Sequence, residues 1–220
     1  LRYSPDEIAW QTAAIVSSSI ADLPLVLLRP HTQRGSAEVF VYTKNKGPVF
    51  SLSTATLDQL GLTILDARIM TTLDDYVLNS FQVLEQSGEP INDQCREDHI
   101  RTALRNNLLQ QKVKKHKNIH RQSRQAKHFP IPTSIKFHAD PLNRHTIIEL
   151  VTTDHAGLLS KIGRAFIRQN INLHSAKITT IGSRAEDMFY ITDQQNQPIN
   201  DTVKQNRICE EMLNALEAEE

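Results

Sequence analysis

The sequence predicts an α+β chain of two similar modules, each a four-stranded antiparallel sheet with two helices on one face. Three observations predict it. The first is an internal repeat: AEVFVYTKNKGPVFSLSTATLDQLGLTILDARIMTT at 37–72 returns as TIIELVTTDHAGLLSKIGRAFIRQNINLHSAKITTI at 146–181. Gly47 matches Gly157 at an offset of 110, and Ala67-Arg68-Ile69 matches Ala176-Lys177-Ile178 at 109. Phe81 matches Phe189, and Pro90-Ile91-Asn92-Asp93 matches Pro198-Ile199-Asn200-Asp201, at 108. Blocks repeated in order with only small slips mark a duplicated unit. The second observation is that hydrophobic periodicity changes in the same order in each copy, β-α-β-β-α. The third is a further apolar stretch one loop upstream of each copy, Leu25-Val26-Leu27-Leu28 and Ser134-Ile135-Lys136-Phe137-His138. A strand there can pair antiparallel with the next and fill the fourth-strand position that a ferredoxin-like module needs.

Each element has its own signal. Residues 5–21 read as a helix, with Pro5 in the first turn and acids close behind. Ile8, Thr12, Ile15, Val16 and Ser19 fall near one face, with no evident partner in the chain. Because the sequence starts at Leu1 rather than Met, residues 1–22 are expected to belong to a preceding region of a longer protein, of which this is the C-terminal piece. Residues 37–43 and 146–153 alternate as strands. Helices follow at about 48–60 and 157–169, the second with an apolar stripe of Leu158, Leu159, Ile162, Phe166 and Ile167. Gly61 sits where a helix C-cap is expected. Strands at 62–72 and 171–181 are linked by short hairpins to strands at 76–85 and 185–193. Helices at about 93–110 and 200–217 begin at Asp93 and Asp201 as N-caps. The domains expected are 23–110 and 134–220, joined by 111–133.

Lys plus Arg and Asp plus Glu are both 25, so the formal net charge is zero and gives no long-range pull toward nucleic acid or a membrane surface. No apolar run approaches the roughly 20 residues of a membrane span. Cys95 and Cys209 are far apart, which fits a reducing, cytoplasmic compartment. The joining segment QKVKKHKNIHRQSRQAKHFPIPT is basic, from Lys112 to Lys127, but lacks aromatics before Phe129. That makes it a better solvated tether than a nucleic-acid surface, which needs stacking platforms.

No catalytic set emerges: Walker A, HExxH, CxxC and GxSxG patterns are absent. His116 and His120 lie in the tether, and Asp74-Asp75 lies in a hairpin, where Asp is a common turn residue. The feature left is the turn between first strand and first helix. In the second copy it reads Thr153-Asp154-His155-Ala156-Gly157-Leu158. Asp154 can receive an ammonium group, and the free N–H groups of the helix start favour a carboxylate. A capped helix start explains the same residues equally well. In the first copy the turn reads Thr43-Lys44-Asn45-Lys46-Gly47-Pro48. At the 110 offset Lys44 faces Asp154 and Asn45 faces His155, so a base replaces the acid.

The run at 149–193, ELVTTDHAGLLSKIGRAFIRQNINLHSAKITTIGSRAEDMFYITD, resembles the ACT domain, a small amino-acid-binding regulatory module. The family's turn is an acid, a variable residue, Pro, Gly and Leu; Asp154, Gly157 and Leu158 match it, and Ala156 stands in for the proline. The whole chain resembles the tandem-ACT region of bacterial bifunctional uridylyltransferase/uridylyl-removing enzymes. The stretches that carry this are Pro24 to Leu28, Arg34 to Phe40, Leu65 to Ile69, Phe81 to Glu85 and His174 to Gly182.

The resemblance implies a regulatory region without catalytic residues, sensing glutamine to control uridylylation and deuridylylation of the PII protein by domains elsewhere. It also implies magnesium or manganese for the parent enzyme, no cofactor in this fragment, and ACT pairing within the chain or in a homodimer. The ligand residues implied are Asp154, Ala156, Gly157 and Leu158, with Asn45, Lys46 and Gly47 in the first copy. A sensor of another amino acid, or an interaction module without a small ligand, are the alternatives.

Overall fold

A computed structural model describes residues 4–30, 32, 35–113, 131–155 and 157–217. The first module holds β1 (Leu25–Arg29), β2 (Ala37–Lys44), α2 (Val49–Gln59), β3 (Leu62–Thr71), β4 (Tyr76–Glu85) and α3 (Gln94–Gln110). The second holds β5 (Ser134–Ala139), β6 (Thr146–Thr153), α4 (Leu158–Arg168), β7 (Asn172–Ile181), β8 (Arg184–Thr192) and α5 (Thr202–Glu217). Helix α1 (Pro5–Ser17) precedes both. The upstream strand takes the fourth position in each module: β1 lies antiparallel beside β2, and β5 beside β6. Most of the basic joining segment, with His116 and His120, lies outside the described residues.

Alternation sets the two faces of each sheet. In β2, Val39 and Val41 turn toward the helices and join one core with Phe81, Ala67 and Ile69; in the second module Ile148, Phe189, Ala176 and Ile178 do the same. Both second helices start as their acids dictate: Asp93 accepts from the Cys95 amide at 3.2 Å and Asp201 from the Val203 amide at 3.0 Å.

The two four-stranded sheets meet edge to edge. Strand β3 lies antiparallel to β7 from Asp66↔Thr179 to Met70↔Ser175, which gives the order β1-β2-β4-β3-β7-β8-β6-β5. At the centre Arg68 faces Lys177. These two are also partners in the sequence repeat, so an approximate two-fold axis relates the modules. On the helical side α2 packs against α4. Gly163 permits the approach: a Cβ there would lie 2.8 Å from Ser51 Cβ and 3.1 Å from its Cα. Phe50 of the first module reaches Phe189 of the second, with ring centroids 6.4 Å apart, so one core runs through both.

Helix α1 departs from expectation. It ends at Ser17 rather than continuing to 21, and a 3-10 turn follows at Ile20–Asp22. Ser4 and Glu7 form its capping box. It also has a partner in the chain, on the non-helical face of the first module, and the docked side is polar. Glu7 and Gln11 are buried, while Ile8 and Val16 stay exposed. Gln11 donates to Glu38 at 3.0 Å and to Ser80 at 2.9 Å. Glu7 pairs with Arg68 at 3.2 Å, and Trp10 leans on Phe40 with centroids 6.1 Å apart. Burial works against ionisation of Glu7, but the Ser4 amide and the Arg68 guanidinium hold its carboxyl below the usual range. The apolar pattern misled because the receiving surface offers Glu38, Ser80 and Arg68. In the second module Lys177, the counterpart of buried Arg68, is exposed.

Candidate functional site

The β6–α4 turn lies at the junction between modules. Asp154 donates its backbone N–H to the Ser183 carbonyl at 2.9 Å, which ties the turn to the β7–β8 hairpin. Gly157 caps α4 at φ +77°, a left-handed conformation that suits glycine. Its N–H donates to Asp58 Oδ1 at 2.8 Å. Asp58 belongs to α2, in the other module. Leu158 is buried in the core, and Ala156 lies outside the described residues.

Asp187 lies close by on β8, 1% exposed, on the core face between Leu150 and Ile178. Its Oδ1 accepts the Thr179 N–H at 3.4 Å, and Oδ2 has no hydrogen-bond partner. Burial pushes the Asp187 carboxyl up to about 7, the Thr179 amide opposes this, and the Asp154 charge adds to it. Burial also raises Asp154, against the influence of His155. The two carboxyls are therefore within electrostatic reach of each other.

The first copy has the same frame with different chemistry. Asn45 donates its N–H to the Asp75 carbonyl at 2.9 Å, as Asp154 does to Ser183. Strand register thus places Asn45, not Lys44, at the position of Asp154, and corrects the 110 offset to 109 at this point. The Asn45 amide also donates to Asp75 Oδ1 at 2.9 Å. Gly47 has φ +75°, and the next residue, Pro48, caps α2 without an N–H to offer. The Gln111 carboxamide packs 3.2 Å from where a Gly47 Cβ would stand. Lys46 is exposed. The counterpart of Asp187 is Asn79, fully buried, with neither Nδ2 nor Oδ1 partnered.

A cleft of about 1250 Å³ opens between the modules at this end. Asn45, Gly47 and Pro48 line one side, and His174, Ser175 and Tyr190 the other. His174 Nε2 lies 2.7 Å from Thr192 Oγ1, and burial, with nearby His145, lowers its pKa. Among the described residues no group of three or more His, Cys, Asp or Glu could hold a metal ion. No helix of the described residues is long and apolar enough to cross a membrane. Cys95 and Cys209 are both free thiols.

Sequence reasoning missed Asp58, Asp187 and Asn79. Asp187 had a signal: it shares strand parity with Ala185, Phe189 and Ile191, all buried, so an acid stands on a core face. Asp58 had none, because only the fold brings the end of α2 to the start of α4.

A model of the ACT domain matches residues 146–204. The match runs through the second module from β6 into α5. Most of the chain also matches curated proteins named bifunctional uridylyltransferase/uridylyl-removing enzyme. The one from Methylococcus capsulatus is 48% identical over 91% of this chain and 23% of its own length. That from Stutzerimonas stutzeri is 35% identical over 100% of this chain and 25% of its own length. The chain thus spans about a quarter of the relatives it matches. Among solved structures, aspartate kinase from Synechocystis gives a TM-score of 0.45 at 14% identity, covering 95% of this chain and 33% of that one. With two copies of the fold side by side and one matched directly, the chain is a tandem of ACT-like modules.

Proposed function

We propose that this tandem is the glutamine-sensing region of a bifunctional uridylyltransferase/uridylyl-removing enzyme. The observation that carries the reading is the β6–α4 turn, where Asp154 and the Gly157 N–H stand together at the junction of two modules. An α-amino acid needs an acceptor for its ammonium and donors for its carboxylate. Asp154 supplies the first, and the Gly157 N–H, flanked in the chain by Ala156 and Leu158, supplies the second. Asn45, Lys46 and Gly47 form the corresponding turn in the first module.

A ligand seated between modules shifts their arrangement only so far as it binds one arrangement better than another. The turn meets that requirement, since it is tied to α2 of the first module through Asp58. The catalytic domains would read the shift: one transferring UMP to the PII protein, the other removing it. The magnesium or manganese this chemistry uses does not fit the described residues, which offer no ligand cluster.

Gly157→Val tests the clamp. A Cβ at φ +77° strains the turn, so a variant that keeps its circular dichroism should bind glutamine about tenfold more weakly, ~1.4 kcal/mol. Unchanged affinity would sink the assignment. A second reading is docking of a protein partner on the outer face of the second module. It rests on the contrast between α1-covered Arg68 and exposed Lys177, and partner binding without any amino-acid binding would favour it.

A further inference from the structure

Helix α1 docks with its polar side and turns its apolar side to solvent. The docked side sets Glu7 and Gln11 against Arg68, Glu38 and Ser80 on the outer face of the first module. On the other side Ile8, Thr12 and Val16 follow at i, i+4 and i+8, with Ala9 and Ala13 beside them, and all five are exposed. Ile8 is 45% exposed and Val16 79%. In a helix of a folded protein such an apolar stripe is ordinarily the buried side. The one charged residue among the exposed positions of α1 is an acid, Asp6.

The outer face of the second module suits the opposite kind of helix. Strand register sets the row Phe40–Ser80–Arg68 in correspondence with Glu149–Met188–Lys177, and the row Glu38–Gln82–Asp66 with Ile147–Tyr190–Ser175. Glu38 and Ser80, which accept from the Gln11 amide, thus become Ile147 and Met188. A helix docking there by a side like that of Glu7 and Gln11 would bury its Gln without an acceptor, whereas an apolar stripe carries no such cost. Lys177 and Lys136 are exposed on this face, and Glu149 turns to His138 at 3.0 Å. The solvent side of α1 and the second face therefore match twice, apolar to apolar and acid to base. They cannot meet within one chain. Arg68 and Lys177 stand directly opposite each other in one antiparallel sheet, so both modules turn their outer faces the same way, and the stripe on α1 points away from that sheet.

We infer that two copies of the chain pair with their outer faces together, the α1 stripe of each seated on the second module of the other. One two-fold axis generates both seats, so the contact is isologous and closes at a dimer. The layers run sheet, two α1 helices, sheet. Each α1 is then buried on both sides, by its own first module through polar contacts and by the second copy through apolar ones. The inference names an occupant for the second module's outer face. It goes beyond the amino-acid reading and does not depend on it.

Sedimentation equilibrium of the 220-residue chain across the micromolar range tests it. Wild type should be a dimer. The double variant Ile8→Lys, Val16→Lys should associate at least about tenfold more weakly, and Met188→Lys, on the seat, should do the same. Val203→Lys, at an exposed apolar position on α5, should associate as wild type does. Circular dichroism checks each fold, and Trp10 emission checks that α1 stays docked. Lys177→Glu, at an exposed position of the same seat, should weaken association severalfold and keeps the test open if Met188→Lys fails to fold. A monomeric wild type, full association in the double α1 variant, or equal loss in Val203→Lys would overturn the inference. Loss in the α1 variant with full association in the folded seat variants would mean that α1 meets another α1, and would overturn the seat on the second module. Glutamine titration of the same samples is read separately, so either reading can fail while the other stands.

Discussion

Asp187→Asn should remove a pH dependence from the stability of the chain. The carboxyl titrates near 3.8 when unfolded and is pushed up to about 7 in the fold. Below about pH 4 both states hold the proton, and above about pH 7 neither does. Between these limits the folded state keeps a proton that the unfolded state has released, so stability falls as pH rises. At about 1.4 kcal/mol per unit, the window contributes ~4 kcal/mol, fully present in acid and lost by pH 8. Exposure of 1% leaves little solvent screening to reduce it. Asp154 is also raised, by burial, so its release adds to the slope in the same direction. Urea unfolding followed by circular dichroism at about pH 5 and pH 8 measures the difference. Wild type should lose ~2.5 kcal/mol more than Asp187→Asn over that range, the rest of the window lying below pH 5. Parallel profiles would show that the carboxyl is hydrated or charge-compensated in the folded chain, and would refute the argument from burial.

Gly163→Val should cost about 2–3 kcal/mol, because the side chain would overlap Ser51 where α2 and α4 meet, and urea unfolding would measure it. A cost below about 0.5 kcal/mol would mean that the helices can separate freely there. Arg68→Ala removes the guanidinium that pairs with buried Glu7 and should loosen α1 by about 2 kcal/mol. Trp10 is the only tryptophan and packs on Phe40, so its fluorescence should shift to the red in this variant; an unchanged spectrum would show that α1 docks without the ion pair.

Much of the fold was legible because the repeat let each copy check the other. The alternation in 37–43 and 146–153, the stripe through Leu159, Ile162 and Phe166, and the caps at Asp93 and Asp201 all place elements to within a few residues. What failed, failed for physical reasons. The docked side of α1 carries Glu7 and Gln11, and periodicity of apolar residues cannot find a polar interface. The β3–β7 seam is made of backbone hydrogen bonds, which leave no side-chain signature beyond a strand edge. The turn residues Asp154 and Gly157 were visible as a motif. Their register with the first copy slipped by one because Gly157 is itself the helix cap, whereas Gly47 stands one residue before the cap at Pro48. Asp58 comes from the other module and was beyond any local reading.

The most direct test of the account is calorimetric titration of the chain with glutamine, against glutamate and asparagine. The account predicts saturable binding selective for glutamine, abolished or strongly weakened by Gly157→Val. Absence of heat in a folded chain, or equal binding of all three amino acids, would contradict it.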